Sequence, residues 1–569
     1  MHTRAAVPWI PDGGSLSSCE RKAPSGGNFA QGQPLVLATG YLPTSYDCDC
    51  GLVLDRPASY DCDCGLVLDH SASYDCDCGL VLDHRPSYDC DCGLVLDRPA
   101  SYDCDCGLVL DAANRLTRQR ASTSLARQRL SQPIALERGW QAYFNPGGPA
   151  GLATLNAEAQ RVLAAFESPL QPVQAIERLR EMPPAAVGRA IDGLARIGLL
   201  RPVAAPARPS LRPSTLSAWL HVTEACNLSC PYCYVQKRPR AMGVEVGRQA
   251  VDRLIEFAVG HSYRSLKLKY AGGEPTLSFP VVQAMHTHAR RHAAEVDLAL
   301  HGVLLTNGVA VSDAMLETLA EAELAMMVSL DGGASAHDRV RTRRNGRGTH
   351  AAVVDTVERA MARGLCPTVS ITLTAVNLDG ASEAVAFALE RDLPFNLNFH
   401  RECPVGGHGP SPLVPDLGHL VEAVRGIFDL IQGYPAYPLP LTGILDRTRL
   451  DIPHEVACSA GRDYLAIGTM GQVSACQMLL EEPWANLADL DPLDMVRRHG
   501  ESILAHVDAA SGCHDCQWRA ACAGGCPLLR ETALHDSYCQ AYQILLPELI
   551  RLEARRLITL RSARLPHTQ

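Results

Sequence analysis

The sequence predicts an α/β protein with a parallel sheet, a small winged-helix-like N-terminal domain and a loop-rich, cysteine-bearing C-terminal domain. Between about 217 and 400, apolar strand-like segments alternate with segments of helical periodicity, which is the pattern of βαβ units. A hairpin-like segment and three short amphipathic segments precede this region. Seven cysteines follow it, crowded between 458 and 539. At 569 residues the chain is long enough for several domains.

The net charge of −10 comes from one part of the chain. Residues 46–111 contain 15 Asp and 3 Arg, a balance of −12, so the remainder sums to about +2. The main body therefore gives no electrostatic reason to expect nucleic acid or membrane binding. The first residues carry no apolar export signal and no window resembles a membrane span, which predicts a cytoplasmic protein.

The acidic segment is a tandem repeat. The block SYDCDCGLVLD occurs five times, with its tyrosines 14 residues apart at Tyr46, Tyr60, Tyr74, Tyr88 and Tyr102. Each copy has only Leu-Val-Leu to bury, too little to offset the entropy of ordering it. We expect residues 1–132 to be a disordered tail and linker, or in part a nucleotide repeat translated from an upstream start. Binding of soft metals by the Asp-Cys-Asp-Cys thiolates is the alternative.

Residues 133–203 are predicted to form a small domain. PIALERGWQAYFNP is typical of a hairpin, and three segments with helical spacing follow, the first with Asn156 as its cap. The motif LN-x-x-A-x-x-VL resembles the PqqD-like precursor-recognition domains of ribosomal peptide maturation systems. The resemblance implies that a leader peptide binds by adding a strand to the sheet edge. A DNA-binding winged helix is the alternative, although the helices lack the basic stripe that DNA requires.

The segment CNLSCPYCY follows the first predicted strand of the alternating region. Cys226, Cys230 and Cys233 are three thiols, one fewer than a closed tetrahedral metal site needs. A structural zinc site would require a further ligand that the neighbourhood does not supply. The spacing, with Tyr232 before the last cysteine, resembles the signature of the radical S-adenosylmethionine (SAM) superfamily. The resemblance implies a partial (β/α)6 barrel over 214–400 and a [4Fe–4S] cluster whose open iron binds SAM.

Two further motifs carry the same resemblance. AGGEP places Gly272, Gly273 and Glu274 after the second predicted strand, where the family holds the SAM amino group. Glycine is expected there because the backbone must approach the ligand closely. SLDG and HDRVR resemble the peptide-modifying branch, which implies that Ser329 and Arg341 bind the SAM carboxylate. A solvated surface charge is the alternative for Arg341.

The cysteines of a predicted domain at 451–545 resemble the SPASM extension of radical SAM peptide maturases. The resemblance implies two auxiliary [4Fe–4S] clusters, three clusters in all. Cys458, Cys476 and Cys526 would hold the first, and Cys513, Cys516, Cys522 and Cys539 the second. Water, a substrate thiolate or a distant residue such as Cys403 would complete the first, and a pair of zinc ribbons is the alternative. Residues 401–450 are expected to bridge to this domain, and 546–569 to form a terminal amphipathic helix.

Together these motifs predict a radical SAM enzyme that cleaves SAM reductively and modifies a ribosomally made peptide by a thioether, a C–C cross-link or a related oxidation. The implied partners are a precursor peptide with its leader and an electron donor such as flavodoxin or ferredoxin. An anaerobic sulfatase maturase-like enzyme, which makes formylglycine, is the alternative. Against it, Gln477 stands where that family has an aspartate base, and Ile452 where it has an additional cysteine. A non-catalytic iron–sulfur protein is the alternative from another class.

Overall fold

The structure is a computed structural model that divides into two compact units. It describes residues 36–39, four short stretches (52–54, 66–68, 88–89 and 95–96), and residues 123–564 except 129, 149, 205–213, 403–410, 436, 452, 510–512 and 531. The smaller unit comprises Asn28–Arg208 with Asp451–Pro453, and the larger includes Pro209–Leu450 and His454–Gln569. Among the described helices, none combines the length and the apolar character that crossing a bilayer requires.

The described part of the smaller unit contains ten short strands, three α-helices and a 3₁₀ turn at Glu137–Gly139. Its strands are β1 (Val36–Thr39), β2 (Leu52–Leu54), β3 (Leu66–Leu68), β4 (Tyr88–Asp89), β5 (Val95–Leu96), β6 (Leu125–Arg127), β7 (Ile134–Ala135), β8 (Gln141–Phe144), β9 (Leu152–Leu155) and β10 (Leu200–Pro202). Its helices, α1 (Ala157–Ala164), α2 (Pro172–Arg178) and α3 (Pro184–Arg196), lie between β9 and β10. Strands β1, β9, β8 and β7 form an antiparallel sheet in that order. Strands β6 and β10 form a second pair, as do β2 with β3 and β4 with β5.

Local signals in the sequence predict two features of this unit, a hairpin and a helix cap. The predicted hairpin is β7–β8, and the predicted cap is present: Asn156 Oδ1 accepts the Ala159 N–H at 3.0 Å and starts α1. Because the cap ends the preceding segment, LATL before it is strand β9 rather than the first turn of a helix. The helices bury Val162, Leu163 and their neighbours against the sheet.

Strands β1 to β6 all fall within the stretch predicted to be a tail and linker, and two of them pair with strands outside it. Strand β1 pairs with β9, and β6 pairs with β10. The prediction for 1–132 is therefore wrong for these two segments, because each pairs with a strand far away in the sequence, and no local pattern signals such a partner. Apart from β2–β5, the repeats, with the proposed metal scavenging, lie outside the described residues, as does the linker at 205–213.

The larger unit is built on one sheet of nine strands. These are β11 (Thr215–Thr223), β12 (Ser265–Gly272), β13 (Ala299–Thr306), β14 (Ala325–Ser329), β15 (Thr368–Leu373), β16 (Phe395–Phe399), β17 (Tyr464–Ile467), β18 (Gln472–Ser474) and β19 (Ala485–Asn486). Strands β11 to β16 are parallel and neighbour one another in chain order. Strand β16 lies at one edge and does not close onto β11, so the six units form a partial barrel. The predicted α/β fold is confirmed.

Helices connect the parallel strands and continue beyond them. They are α4 (Val244–Gly260), α5 (Phe279–Glu295), α6 (Asp313–Glu321), α7 (Ala334–Val340), α8 (His350–Ala362), α9 (Ala381–Leu389), α10 (Leu417–Gln432), α11 (Pro492–Ala509), α12 (Arg519–Cys522) and α13 (Ala533–Arg564). The terminal helix α13 begins 13 residues before the predicted start at 546 and so includes Cys539. It packs against α10, where Arg425 Nη2 donates to Glu548 Oε1 at 2.7 Å.

The sheet places the predicted motifs at one edge. Its interior is apolar, with Leu220, Leu268, Leu304 and Val328 on four successive strands fully buried. The strands are parallel, so their carboxyl ends meet on the same side, where α/β folds place their functional residues. The loops after β11, β12, β13 and β14 therefore build one site.

Candidate functional site

Three thiols lie in the loop that follows β11. Cys226 is buried, Cys230 and Cys233 are partly buried, and none of the three forms a disulfide. The loop is folded tightly, since the Cys233 N–H donates to the Cys230 carbonyl at 3.3 Å and the Leu228 N–H donates to Cys226 Sγ at 3.4 Å. Backbone donors directed at sulfur are typical of sites that stabilise thiolates.

Burial favours the protonated form of two of these thiols, Cys226 and Cys230. It raises the pKa of Cys230 to about 11, with Arg341 acting in the opposite direction and the nearby Cys233 adding to the rise. Burial likewise raises the pKa of Cys226. Thiols that influence one another at such short range suit a metal centre, whose positive charge displaces their protons on binding. The donor set therefore fits an iron–sulfur cluster held by three thiolates.

The two glycines of AGGEP allow β12 to end against the chain that leads into the cysteine loop. The Gly273 N–H donates to the Thr223 carbonyl at 2.7 Å, and the Glu274 N–H donates to the Ala225 carbonyl at 2.8 Å. Gly272 has φ +143°, and a Cβ on Gly272 or Gly273 would lie 2.2 Å from the Thr223 or the Ala225 carbonyl oxygen. The close approach that requires glycine here is thus to the protein backbone itself.

The Glu274 carboxylate is turned into the protein. It is completely buried, and its Oε1 accepts the Thr276 N–H at 3.1 Å, the Thr276 hydroxyl at 2.6 Å and the Thr306 hydroxyl at 2.7 Å. Its Oε2 accepts the Asn307 N–H at 2.7 Å. Burial raises the pKa of Glu274, and these donors oppose the rise. Most of the carboxylate's hydrogen-bonding capacity is therefore used to join the ends of β12 and β13.

Asn307 continues this connection to the cysteines. Its side-chain amide donates to Asn227 Oδ1 at 2.7 Å and lies 3.9 Å from Cys226 Sγ. Its own Oδ1 accepts the Val309 N–H at 3.0 Å, so the side chain is held at both ends. Glu274 therefore acts on the cysteine loop through Asn307.

A second buried carboxylate, Asp331, organises the other half of the site. Arg341 Nε donates to Asp331 Oδ2 at 2.6 Å, and the Tyr232 hydroxyl donates to the same oxygen. The Arg341 guanidinium also lies 5.5 Å from the centre of the Tyr232 ring. Arg341 is 9% exposed, which excludes the alternative of a solvated charge. Ser329 is the last residue of β14, two residues before Asp331.

His337 fixes the backbone of Asp331 relative to that of Arg341. Its Nδ1 accepts the Asp331 N–H at 3.1 Å, so the ring proton is on Nε2, which donates to Thr349 Oγ1 at 3.0 Å. The Thr349 hydroxyl in turn donates to the Arg341 carbonyl at 2.6 Å. Burial, assisted by Arg341, lowers the pKa of His337 to about 4, so this relay operates with a neutral imidazole at neutral pH.

The C-terminal thiols gather in two sets. Burial raises the pKa of Cys476 to about 12, and the nearby Cys458 and Cys526 raise it further. Burial likewise raises the pKa of Cys522 to about 12, and its thiol neighbours are the remaining members of the other set: Cys513, Cys516 and Cys539. These are the two groups of residues that the family resemblance assigns to separate clusters. Cys403, named as a further ligand, lies outside the described residues.

Arginines surround the set formed by Cys458, Cys476 and Cys526. The Arg447 guanidinium interacts with Cys458 and Cys526. Arg530 interacts with the same two thiols and with Cys513 of the other set. Arg401, which also faces Cys526, is anchored by Asp446 at 2.6 Å to both carboxylate oxygens. Positive charge of this kind suits thiolates bound to a metal cluster.

Sequence reasoning missed the residues that support the site rather than line it. Asp331 belongs to the SLDG motif but was not selected, although a carboxylate directly after a parallel strand is a usable signal. Asn307 follows β13 in the same way. Arg401 and Arg447 carry no spacing signal, because their role depends on cysteines far away in the sequence.

Comparison with known proteins agrees with this architecture. Residues 220–386 match the family model described as the Radical SAM superfamily. A PqqA peptide cyclase of Xanthomonas euvesicatoria pv. vesicatoria is 30% identical over 183 residues, which are 32% of this chain and 46% of the cyclase. A cysteine-type anaerobic sulfatase-maturating enzyme of Clostridium perfringens is 22% identical over 355 residues, 56% of this chain and 92% of that enzyme. The chain spans 42% and 49% of two uncharacterized relatives from Methanocaldococcus jannaschii and Synechocystis.

A solved structure shares the fold. The structure titled "Native anSMEcpe with bound AdoMet" aligns with a TM-score of 0.50 at 18% identity, over 59% of this chain and 99% of that one. The class of protein is defined by a partial barrel in which the loop after the first strand carries three thiols. Residues 220–386 form a radical SAM domain, since they match the model of that superfamily.

We predict that Gly273→Ala will displace the cysteine loop. The added Cβ meets the Ala225 carbonyl, a backbone atom that cannot move aside, so the free energy of unfolding should fall by about 1–3 kcal/mol. Iron bound at Cys226, Cys230 and Cys233 after reconstitution should fall as well. Gly243→Ala is the matched control, since nothing lies within 4 Å of its Cβ and its φ is −70°. Equal stability of the two variants would contradict the prediction.

We predict a loss of stability as the pH falls from about 6.5 toward 4. In the unfolded chain His337 takes a proton near pH 6.5, whereas in the folded protein its pKa is about 4. The unfolded state therefore binds the extra proton, and the free energy of unfolding falls by up to about 1.4 kcal/mol per pH unit. Urea unfolding at pH 7 and pH 5 measures this slope. His337→Gln should show a shallower slope, and an unchanged slope would show that His337 does not contribute.

Proposed function

We propose that this protein is a radical SAM enzyme that oxidatively modifies a ribosomally made peptide. The observation that carries the proposal is the grouping of ten thiols into three sets: one in the loop after β11 and two in the C-terminal region. The family resemblance assigns each set as the ligands of one [4Fe–4S] cluster. The PqqA peptide cyclase and the sulfatase-maturating enzyme among the relatives support a peptide or protein as substrate.

The residues of the first site have complementary roles. Cys226, Cys230 and Cys233 would hold three irons of a cluster, leaving the fourth open. When bound there, the cluster supplies the electron that cleaves SAM to methionine and a 5′-deoxyadenosyl group able to take a hydrogen atom from an unactivated carbon.

Protein groups beside the thiols would bind SAM. Arg341 and Ser329 would bind the SAM carboxylate. Asp331 fixes the Arg341 guanidinium through Nε, which leaves its other N–H groups to donate to that carboxylate. The backbone of Gly272, Gly273 and Glu274 would bind the amino group of SAM. Tyr232, tied to Asp331, would form part of the wall that excludes water.

The two C-terminal sets would hold auxiliary clusters. Cys458, Cys476 and Cys526 provide three ligands among arginines, and Cys513, Cys516, Cys522 and Cys539 provide four. A four-thiolate cluster is fully ligated and suits electron transfer, whereas a three-thiolate cluster leaves one iron for another ligand. The second set would therefore conduct the electron released when the substrate is oxidised.

The smaller unit would recognise the peptide. It combines a short antiparallel sheet with helices, the arrangement that binds a peptide as an added strand. A leader peptide as partner, a cytoplasmic location and an electron donor such as flavodoxin or ferredoxin stay predictions of this function.

Formylglycine formation is the second candidate function, favoured by the alignment over 92% of the sulfatase-maturating enzyme. The residue after Cys476 weighs against it. Gln477 occupies the position of that family's aspartate base, and its Oε1 accepts the Tyr464 hydroxyl at 2.6 Å. An amide held in this way cannot take up a proton from a substrate. Ile452, the other departure, lies outside the described residues.

We predict that anaerobically reconstituted protein will convert SAM to 5′-deoxyadenosine, and that Cys226→Ala will abolish this conversion. The variant should keep the iron bound by the C-terminal cysteines, because those thiols lie on separate elements. Product analysis by chromatography and iron spectroscopy measure the two outcomes. Cys522→Ala is the matched control: it should lose auxiliary iron yet still cleave SAM. If Cys226→Ala still produces 5′-deoxyadenosine, the assignment of the first site is wrong.

A further inference from the structure

One edge of the smaller unit's sheet is covered by a segment of the same chain. Strand β1 runs antiparallel to β9, with Val36 opposite Leu155 and Thr39 opposite Leu152. Strand β9 lies between β1 and β8, so without β1 it would be an edge strand with unpaired backbone groups. The place that an added peptide strand would take beside β9 is therefore occupied in cis.

The segment also contacts a helix. Val36 is partly buried and packs against the apolar core of the unit, and β1 contacts α3. At Gly193 of α3, a Cβ would lie 3.7 Å from Val36 Cβ and Cγ2, which is ordinary van der Waals contact. A sheet edge and an adjoining helix are the two surfaces that bind a peptide by strand addition, and β1 meets both.

The five repeats follow this strand directly. The first begins at Ser45, six residues after Thr39. The 11-residue block SYDCDCGLVLD is identical in all five copies, and every difference between copies lies in the three-residue separators RPA, HSA, HRP and RPA. A nucleotide repeat kept alike only by recent duplication would preserve the separators as well as the blocks. The residues of the block are therefore the feature that is held constant.

We propose that the repeats are the peptide substrate of this chain's own active site. Residues 36–39 would be a built-in leader strand, and the five Cys-Asp-Cys blocks would be the cores that are modified. This inference rests on the proposed function and names its substrate: a cysteine- and aspartate-rich peptide carried in the same chain.

The block supplies the groups that the oxidation needs. Each copy has two thiols separated by one aspartate, and C–H bonds on the neighbouring Asp, Tyr and Leu side chains. Formation of a thioether makes one C–S bond and breaks one C–H and one S–H bond. SAM is the oxidant: its carbon–sulfonium bond breaks, 5′-deoxyadenosine carries the hydrogen atom from carbon, and methionine is released. The thiol proton would go to solvent, and the remaining electron would be taken up by the clusters that the C-terminal cysteines are proposed to hold.

Because the proposed leader strand is part of the same chain, four residues can be enough to bind it to β9. Four residues paired with β9 give a separate peptide little affinity, because association costs translational and rotational freedom. A segment joined to its binding site is instead presented at an effective concentration of about millimolar when the connection can span the sites. The cis arrangement therefore predicts modification that does not depend on protein concentration.

The test uses the full chain under anaerobic conditions with SAM and a reductant. Peptides from residues 40–122 should lose the mass of two hydrogen atoms for each bond formed, at a rate per chain that is unchanged by dilution. In a mixture, a Cys226→Ala chain with intact repeats should stay unmodified beside an active chain whose repeat cysteines are all serine.

Two proline variants test the strand by a measurement other than activity. Adjacent backbone amides of an antiparallel strand alternate between facing the partner and facing away. Of Leu37→Pro and Ala38→Pro, one therefore removes a hydrogen bond to β9, and the other is its matched control. The variant that removes the hydrogen bond should speed hydrogen exchange at the β9 amides and slow modification of the repeats. Both variants should still cleave SAM to 5′-deoxyadenosine, including cleavage that is not coupled to modification of the repeats.

The outcomes separate this inference from the proposed function. If the wild-type chain forms 5′-deoxyadenosine while its repeats keep their mass, the inference is overturned and the proposed function stands. If the wild-type chain forms no 5′-deoxyadenosine, the proposed function itself fails. A rate that rises with protein concentration, or modification of the Cys226→Ala chain in the mixture, would overturn the assignment of the substrate to the same chain.

Discussion

The buried Glu274 carboxylate is the interaction on which the first site depends. A carboxylate removed from water is strongly unfavourable unless it is hydrogen-bonded, so its four donors on Thr276, Thr306 and Asn307 must be in place. These donors fix the end of β12 relative to the end of β13. Asn307 then fixes Asn227 beside Cys226. The position of the cysteine loop thus follows from satisfying one buried charge.

Asp331 does the same for the other half of the site, but through a charge pair. It neutralises Arg341, anchors the Tyr232 hydroxyl of the cysteine loop and accepts the Thr372 N–H at 2.7 Å. Breaking a buried pair by removing one partner leaves an uncompensated charge, which is why such pairs hold geometry well. Both carboxylates therefore position other groups, and they interact with different thiols, Glu274 with Cys226 and Asp331 with Cys230. This arrangement gives a preorganised site whose supporting groups are satisfied within the protein.

The sequence predicted what depends on local pattern and spacing. The six parallel strands and the Asn156 cap follow from periodicity and cap chemistry, which are short-range signals. The division of the C-terminal cysteines into two sets came from the family resemblance instead. The pairing of β1 with β9 and of β6 with β10 could not be predicted, since strand pairing across a long separation leaves no local mark. The inward orientation of Glu274 and the role of Asp331 likewise depend on partners from other strands. Helix α13 was placed too late because its first turns carry a cysteine rather than an apolar stripe.

Strand β17 gives the larger unit a mechanical property. It adds to the open side of β11, with Ser217 opposite Tyr464 and Leu220 opposite Ile467, so the strand that leads to Cys226 and the hairpin that leads to Cys476 share one hydrogen-bonded ladder. Their separation cannot change without breaking ladder bonds. Electron tunnelling slows steeply with distance, so two redox centres mounted on these strands would exchange electrons over a constant gap while other parts of the molecule move.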